Sequence, residues 1–459
     1  MISSDDSRNK RVVLFVAVLS AFLTPFMGSA VNIALPAIGR EFGMDAVLLS
    51  WVATSYILSA AMFLLPFGRL ADIHGRKRLF TYGLWIYTLA SFLSAVSGSA
   101  PLLIGSRVLQ GVGGAMIFGT GTAILTSVFP AGERGRVLGM TATVVYLGLS
   151  LGPFVGGFLT QHFGWRSIFL VNVPLGLIPW ILVAWKLKGE WAGARGESFD
   201  WVGSVLCSLS LVTGIYGFSL VPAGMGISLI LLGALGIWMF ARWEMKVENP
   251  ILDMNLFRNN TVFAFSNLAA LIHYSATFAV GFLMSLYLQY VKALSPQSAG
   301  LVLVSQPLVM AFFSPWAGRL SDRIEPRIVS SAGMAVTALG LLLLVPLREK
   351  TSLEFIVAGL FFLGLGFAFF SSPNTNAVMS SVEYRFYGVA SATLGTMRLS
   401  GQVVSMGIAM LIFALHIGKV RITPEYFQPF LTGLRTAFGV FAVLCFFGVF
   451  ASLARGKVR

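Results

Sequence analysis

Apolar residues fill most of the chain in runs of about 20, separated by short stretches rich in Gly, Pro and charged residues. A helix of about 20 residues crosses the hydrocarbon core of a bilayer and satisfies its own backbone hydrogen bonds there. The pattern predicts an all-α membrane protein. We predict fourteen spans, at residues 12–35, 47–67, 79–97, 101–129, 136–160, 166–186, 201–221, 224–242, 261–291, 298–317, 327–346, 353–375, 387–415 and 430–453.

An even number of spans places both termini on one side of the membrane. If that side is the cytoplasm, its loops and span ends carry most of the 32 basic residues, which is the bias that sets orientation. We therefore expect a multi-pass plasma-membrane protein with cytoplasmic termini. The first apolar run continues to Leu35 without a small-residue cleavage site, so we interpret it as a span and not as a signal peptide.

Composition agrees with a bilayer environment, since 56% of the residues are hydrophobic and 11% are charged. The net charge of +14 lies in short loops and not on one clustered face, so we expect no nucleic-acid partner. Cys207 and Cys445 both lie in apolar runs, so we expect no disulfide and no metal site. The sequence contains no phosphate-binding glycine loop before a Lys and no His-Glu-x-x-His. We therefore expect no cofactor and no enzymatic activity.

The chain contains an internal repeat. Gly68-Arg-Leu-Ala-Asp72 follows the second span, and Gly318-Arg-Leu-Ser-Asp322 follows the tenth. The same spacing separates Glu133, with Arg134 and Arg136, from Glu383, with Arg385. Duplicated halves are common in secondary transporters.

We predict a six-helix bundle at 1–188, an inserted two-helix linker at 189–250 and a second six-helix bundle at 251–459. Two such bundles can rock about a central cavity that opens to one side of the membrane at a time.

Three motifs carry a resemblance to a known family. The stretch from Gly68 through Gly75 to Arg78 resembles the signature loop of the major facilitator superfamily, Arg107-Val-Leu-Gln-Gly111 resembles its second motif, and Gly148 to Gly157 resembles its antiporter motif. Fourteen spans, with Trp165-Arg166 and Asn172-Val-Pro174, are similar to its drug:proton antiporter branch. The resemblance implies the major facilitator fold and proton-coupled efflux.

Asp72 ends a helix beside a basic loop, so it can pair with Arg76 and latch the cytoplasmic side when the cavity opens outward. Asp322 with Arg323 is a weaker copy of this latch. The alternative is that these loops only anchor the protein by their positive charge.

Two cations lie within spans, Arg107 and Arg398. A charge at the bilayer centre costs about 2.5–3.5 kcal/mol on insertion scales, so both should face the interior or a water-filled cavity. The resemblance implies that Arg107, with Gln110, takes part in proton coupling; structural hydrogen bonding is the alternative. His273 is the only span histidine and titrates near neutrality, so it is a coupling candidate or a packed group.

Gly148, Gly152 and Gly156 are spaced to share one face of the fifth span, and Pro153 can kink it. We expect this face to act as a hinge and seal between the bundles.

The drug exporters of this branch commonly carry an acid in the first span, and Met27 occupies the aligned position here, shortly before Asn32-Ile-Ala-Leu-Pro36. An interior with cations and no acid favours neutral or anionic amphiphiles over cationic drugs. Aromatic, Met and amide side chains suit varied apolar ligands. We expect a substrate cavity lined by Phe26, Met27, Asn32, Gln110, Tyr146, His273, Tyr274, Gln306, Met310, Asn374, Asn376 and Gln402, with ordinary helix packing as the alternative for some.

The leading hypothesis is a monomeric secondary transporter that exports hydrophobic or amphiphilic small molecules, driven by protons. The alternatives are a lipid or lipid-precursor flippase and a nutrient or small-anion importer.

Overall fold

The computed structural model describes residues 4–187, 189–383, 387–418 and 420–456, and α-helices make up most of them. The α-helices are α1 (Ser4–Phe42), α2 (Ala46–His74), α3 (Arg76–Ala95), α4 (Ala100–Val128), α5 (Ala131–Phe163), α6 (Arg166–Lys186), α7 (Trp201–Leu220), α8 (Gly224–Glu244), α9 (Met254–Asn259), α10 (Thr261–Thr277), α11 (Ala279–Leu286), α12 (Pro296–Leu303), α13 (Ser305–Arg323), α14 (Pro326–Leu344), α15 (Leu353–Ser380), α16 (Tyr387–His416) and α17 (Phe427–Ala454).

Several of these elements join into single spans. Helices α10 and α11 continue into one π-helical turn, Tyr287–Val291, and together form the ninth span, while α12 and α13 form the tenth. Among the described residues, thirteen stretches are long and apolar enough to cross a membrane. Helix α3 is the fourteenth helix of this length, and it is less apolar because Arg76, Lys77 and Arg78 fill its first turn. The prediction of an all-α membrane protein is confirmed.

Helix boundaries follow local side-chain chemistry. Asp45, Ser99, Asp200 and Ser352 each accept a hydrogen bond from a backbone N–H of the turn that follows, which satisfies a donor that the helix start leaves free. The predicted division near Pro222 is where α7 ends and α8 begins.

The two halves of the chain pack their helices in the same order. In the first half, α1 packs along α5 and α6, α2 along α4, and α3 along α4 and α6. In the second half, α10 packs along α16 and α17, α13 along α15, and α14 along α15 and α17. The contacts between the halves are also reciprocal, because α2 meets α16 and α5 meets α12 and α13. The sequence repeat is therefore visible in the packing.

The inserted helices lie outside one seam between the halves. Helix α7 packs on α8 and contacts both α2 and α16, so it covers the α2–α16 seam. Ser208 of α7 donates a hydrogen bond to the Met62 carbonyl of α2 (3.1 Å). A small apolar cluster of Leu65, Cys207 and Phe240 joins the same elements.

Hydrogen bonds between the halves, in the described part of the chain, lie at one end of the molecule. Gln289 donates to the Ile33 carbonyl (2.9 Å) and Ser285 to the Asn32 carbonyl (2.5 Å). Arg421 donates to the Gly43 carbonyl (3.0 Å). This end is opposite the loops that follow Gly68 and Gly318, so the halves are fastened to each other at the end remote from those loops.

The glycine face of α5 packs within the first half. A Cβ at Gly156 would lie 2.9 Å from Cα of Ala30, and one at Gly152 would lie 2.9 Å from the Phe26 carbonyl oxygen, both in α1. Gly148, Gly152 and Gly156 therefore contact α1 of the same half, and a part of this face in a hinge or seal between the bundles stays a prediction. Pro153 and Gly157, on the neighbouring face, meet α12 of the second half instead.

We predict that Gly156→Leu lowers the stability of the purified protein by about 1–3 kcal/mol, because the added side chain must push α5 away from α1. Thermal unfolding in detergent measures the change. Gly28→Ala is the control, since a Cβ at Gly28 meets no atom within 4 Å. Equal unfolding midpoints for the two variants would contradict the observed helix contact.

Candidate functional site

The predicted latch pair is present in the first half. Asp72 in the last turn of α2 receives hydrogen bonds from Arg76 at the start of α3, through Nε (2.8 Å) and Nη2 (2.7 Å). Arg76 also donates to Ser127 Oγ of α4 (2.7 Å). Because both partners are partly exposed, the ion pair itself adds little to the stability of the fold. Its main effect is to hold the ends of α2, α3 and α4 in position.

Gly75 gives the latch loop its shape. Its φ of 120° is one that L side chains rarely adopt, and a Cβ there would lie 2.6 Å from Glu190 Oε1. Gly119 of α4 permits the close approach to α2, since a Cβ there would lie 3.3 Å from the Gly68 nitrogen, whereas a Cβ at Gly68 itself would meet no atom within 4 Å. Of the two motif glycines, Gly75 is therefore the one that the local geometry requires.

The linker between α6 and α7 closes over this loop. Glu190 Oε1 accepts a hydrogen bond from the Lys77 backbone (2.8 Å), and the Trp191 carbonyl accepts one from the Arg76 backbone (2.8 Å). Arg69 and Glu197 form an ion pair (2.5 Å). We call residues 189–198 the clasp. The sequence did not predict the clasp, because a polar loop lacks the hydrophobic periodicity that would indicate which element it packs against.

The second copy of the latch is built differently. Asp322 accepts a hydrogen bond from Asn376 (3.3 Å), and Asn376 also donates to Ser321 Oγ (3.1 Å). Arg323 is exposed. Asp322 thus has an amide contact within the second half, and the role of Asp322 and Arg323 as a weaker latch stays a prediction.

Three basic residues of the second repeated pair are not described. The side chains of Arg134 and Arg136, and the whole of Arg385, lie outside the described residues. Glu133 is exposed and forms an ion pair with Lys10 (3.8 Å).

Arg107 is enclosed by the first half. It is 1% exposed, its Nε donates to the Val52 carbonyl (3.0 Å), and its Nη1 donates to Gln110. Gln110 in turn donates to Ser91 Oγ (2.8 Å). The Tyr56 ring lies 4.4 Å from the guanidinium carbon. Arg107 and Gln110 thus connect α4 with α2 and α3, as the structural alternative expected, and their part in coupling stays a prediction.

Arg398 lies in a more open position in the second half. It donates to Thr375 Oγ1 (2.6 Å), and its guanidinium carbon lies 5.7 Å from the Tyr274 ring. The side chain is partly exposed. A cation over an aromatic face can offer charge and an apolar surface to the same ligand.

His273 is packed and not exposed. Its ring stacks on Phe370 at 4.1 Å, and its Nε2 lies 3.3 Å from Thr337 Oγ1. The residue is fully buried. These contacts fit the packed-group alternative, and a role in coupling stays a prediction.

The expected cavity residues separate into two groups. Phe26, Met27, Met310 and Asn374 are buried in helix contacts, as when Asn172 donates to Met27 Sδ (2.8 Å). The partly exposed group consists of Asn32, Tyr146, Tyr274, Gln306, Asn376 and Gln402, and its place in a substrate cavity stays a prediction.

A family model described as Major Facilitator Superfamily matches residues 17–200 and 267–458, which are most of both halves. The chain belongs to the major facilitator superfamily. It is a multi-pass membrane protein, and it has the fold and homologues of a transporter.

Curated relatives in the superfamily differ in their named substrates. The chain is 31% identical to the riboflavin transporter RibZ of Clostridioides difficile (strain 630), over 96% of each protein. It is 30% identical to the multidrug resistance protein Stp of Mycobacterium tuberculosis (strain CDC 1551 / Oshkosh), over 88% of this chain and 75% of that protein.

A solved structure of the peptide transporter POT in complex with sulfate has the same superfamily fold. Its TM-score to this chain is 0.71 at 14% identity, over 95% of this chain and 93% of the other. At this identity the likeness concerns the fold alone.

A buried cation, Arg455, lies directly after the last span and was not predicted from the sequence. Arg455 donates to the Ser452 carbonyl (2.8 Å) and to Asn374 Oδ1 (3.1 Å), and it is fully buried. Burial lowers the pKa of Arg455 to about 10, although the charge of Glu325 raises it.

We predict that Glu190→Ala loosens the clasp, because the Lys77 backbone loses its carboxylate acceptor, a hydrogen bond worth about 1.5–3 kcal/mol. Trypsin should then cleave after the exposed Arg195 about tenfold faster. Glu248→Ala, which removes an exposed carboxylate elsewhere, is the control. Equal cleavage rates in the two variants would show that the Glu190 contact does not hold the clasp.

Proposed function

We propose that the chain exports hydrophobic or amphiphilic small molecules as a secondary transporter driven by a proton gradient. The observation that carries this proposal is the partly exposed Arg398 above the Tyr274 ring, together with partly exposed amide and aromatic side chains on several spans. Such a surface binds apolar and aromatic compounds by adaptable packing, with one fixed charge to orient them. A relative named as a multidrug resistance protein supports the same activity.

We further propose that both termini are cytoplasmic and that the protein resides in the plasma membrane. The chain would then divide at 1–188, 189–250 and 251–459, with the two bundles rocking about their interface. The hydrogen bonds between the halves lie at the end opposite the latch loops. In this orientation these hydrogen bonds join the two halves on the outer side of the membrane.

The charged side chains in the interior affect which substrate charge the protein prefers. Arg398 is a partly exposed cation, and Met27 stands where related exporters commonly carry an acid. An interior of this charge attracts neutral or anionic amphiphiles and repels cations. We propose Arg107, Gln110, His273 and Arg398 as the residues of coupling, in a monomer that performs no chemistry on its substrate and uses no cofactor.

A second candidate function is nutrient import. The riboflavin transporter RibZ matches this chain over 96% of each protein. Riboflavin is an uncharged aromatic compound at neutral pH, and an aromatic and amide lining also suits it. Uptake of riboflavin into cells that lack their own transporter distinguishes this function from export.

We predict that an inward-directed proton gradient drives export of a neutral or anionic amphiphile from whole cells, and that an uncoupler abolishes it. Proteoliposomes with and without an imposed pH gradient give the direct measurement. Unchanged flux after the gradient is removed rejects proton coupling. Lipid release without export of soluble compounds would support a flippase instead.

We predict that Arg398→Ala reduces export of anionic amphiphiles at least tenfold, because the substrate loses a charge-assisted contact. Arg398→Lys should retain part of the activity, since it keeps the charge without the planar stack. Lys350→Ala, an exposed loop substitution, is the control. Full activity of Arg398→Ala in folded protein would remove this residue from the site.

A further inference from the structure

The inserted helix pair carries two buried acids at its base. Asp200 precedes the first residue of α7, and Glu244 is the last residue of α8. Their exposures are 8% and 2%. Both lie next to linkers that connect the pair with the two halves, so this base is the place where the linkers meet.

Most oxygens of the two carboxyl groups have donors. Asp200 Oδ1 accepts from the Gly203 backbone (2.9 Å), and both Asp200 oxygens accept from Trp243 Nε1 (3.1 Å). Glu244 Oε2 accepts from the Leu252 backbone (3.0 Å). The remaining oxygen, Glu244 Oε1, is buried and has no donor in the described part of the chain.

That oxygen faces the other acid. Glu244 Oε1 and Asp200 Oδ2 both border the space where a Cβ of residue 203 would lie, which only Gly203 leaves open. Each of these two oxygens lies 2.3 Å from the position of that Cβ, so they face each other across the same space. Both oxygens are acceptors and repel each other unless a hydrogen lies between them, which favours a proton on one of the two acids.

The surroundings do not supply another counter-charge. Neither acid forms an ion pair within the described residues. The neighbouring cluster of Leu65, Cys207, Phe240 and Leu252 is apolar, and the Cys207 thiol is its one titratable member. Two negative charges in contact in such a setting would be strongly unfavourable.

We propose that Asp200 and Glu244 share one proton and form a proton-binding site at the base of the inserted helix pair. The site is separate from the coupling residues proposed above. The bound proton joins the start of α7 to the end of α8 and so holds the clasp-side linker and the Leu252 linker together. Loss of the proton leaves two repelling charges and separates these segments.

Infrared spectroscopy of the purified protein tests the site directly. We expect a protonated carboxyl band at neutral pH that disappears in Glu244→Gln and persists in Glu248→Gln, whose carboxylate is exposed. Asp200→Asn, which keeps an N-cap side chain, is the second variant if the first does not fold. A spectrum unchanged by both substitutions overturns the proposal.

The pH dependence of stability is the second measurement. The folded state holds a proton that exposed carboxyl groups give up at neutral pH, so stability falls as the pH rises. We expect the thermal midpoint of the wild type to fall by several degrees between about pH 5 and about pH 8. Glu244→Gln should flatten this slope, because its amide donates to Asp200 at every pH.

Two outcomes of the stability measurement reject the shared proton. Equal slopes in the wild type and Glu244→Gln would mean that the pair does not titrate. Recovery of high-pH stability by added Na⁺ or K⁺ would mean that a metal cation and not a proton fills the space. Neither result depends on transport, so failure of the proposed export activity leaves this test intact.

Discussion

The absence of water in the bilayer core is the constraint on which the rest of this structure depends. A backbone N–H or C=O group that is not hydrogen-bonded within a helix finds no water to bond with in the bilayer core. The chain therefore crosses the membrane as helices and changes direction only at their ends. Association between such helices then relies on close packing. The glycines of α4 and α5 provide it, and bring α5 against α1 within one half.

The fold follows from that constraint, and the sequence predicts it well. Runs of apolar residues indicate the spans, and the repeat of Gly68 and Gly318 indicates two related halves, which the packing reproduces. The Asp72–Arg76 pair was also predictable, because its two members are four residues apart at a helix junction. The spacing of Gly148, Gly152 and Gly156 indicated a shared face but not the helix it would meet.

What the sequence could not predict concerns contacts between distant polar segments. The clasp is a loop without periodicity, and its partners on the latch lie more than a hundred residues earlier. The contact between Asp200 and Glu244 at the base of the inserted helix pair was not predicted either. In the sequence, each is an acid at the end of a span, and nothing indicates that the two lie together. For Arg107, the sequence predicted that a cation within a span would be buried, but it did not predict the hydrogen-bond partners.

The position of α7 makes the two lateral seams of the molecule unequal. Helix α7 covers the junction of α2 with α16, whereas the junction of α5 with α12 and α13 has no such cover within the described residues. Leu308, Phe312 and Phe313 line a shallow, open depression on the surface of α13. Compounds dissolved in the membrane leaflet would therefore meet an unguarded flank on one side of the molecule and a helical barrier on the other.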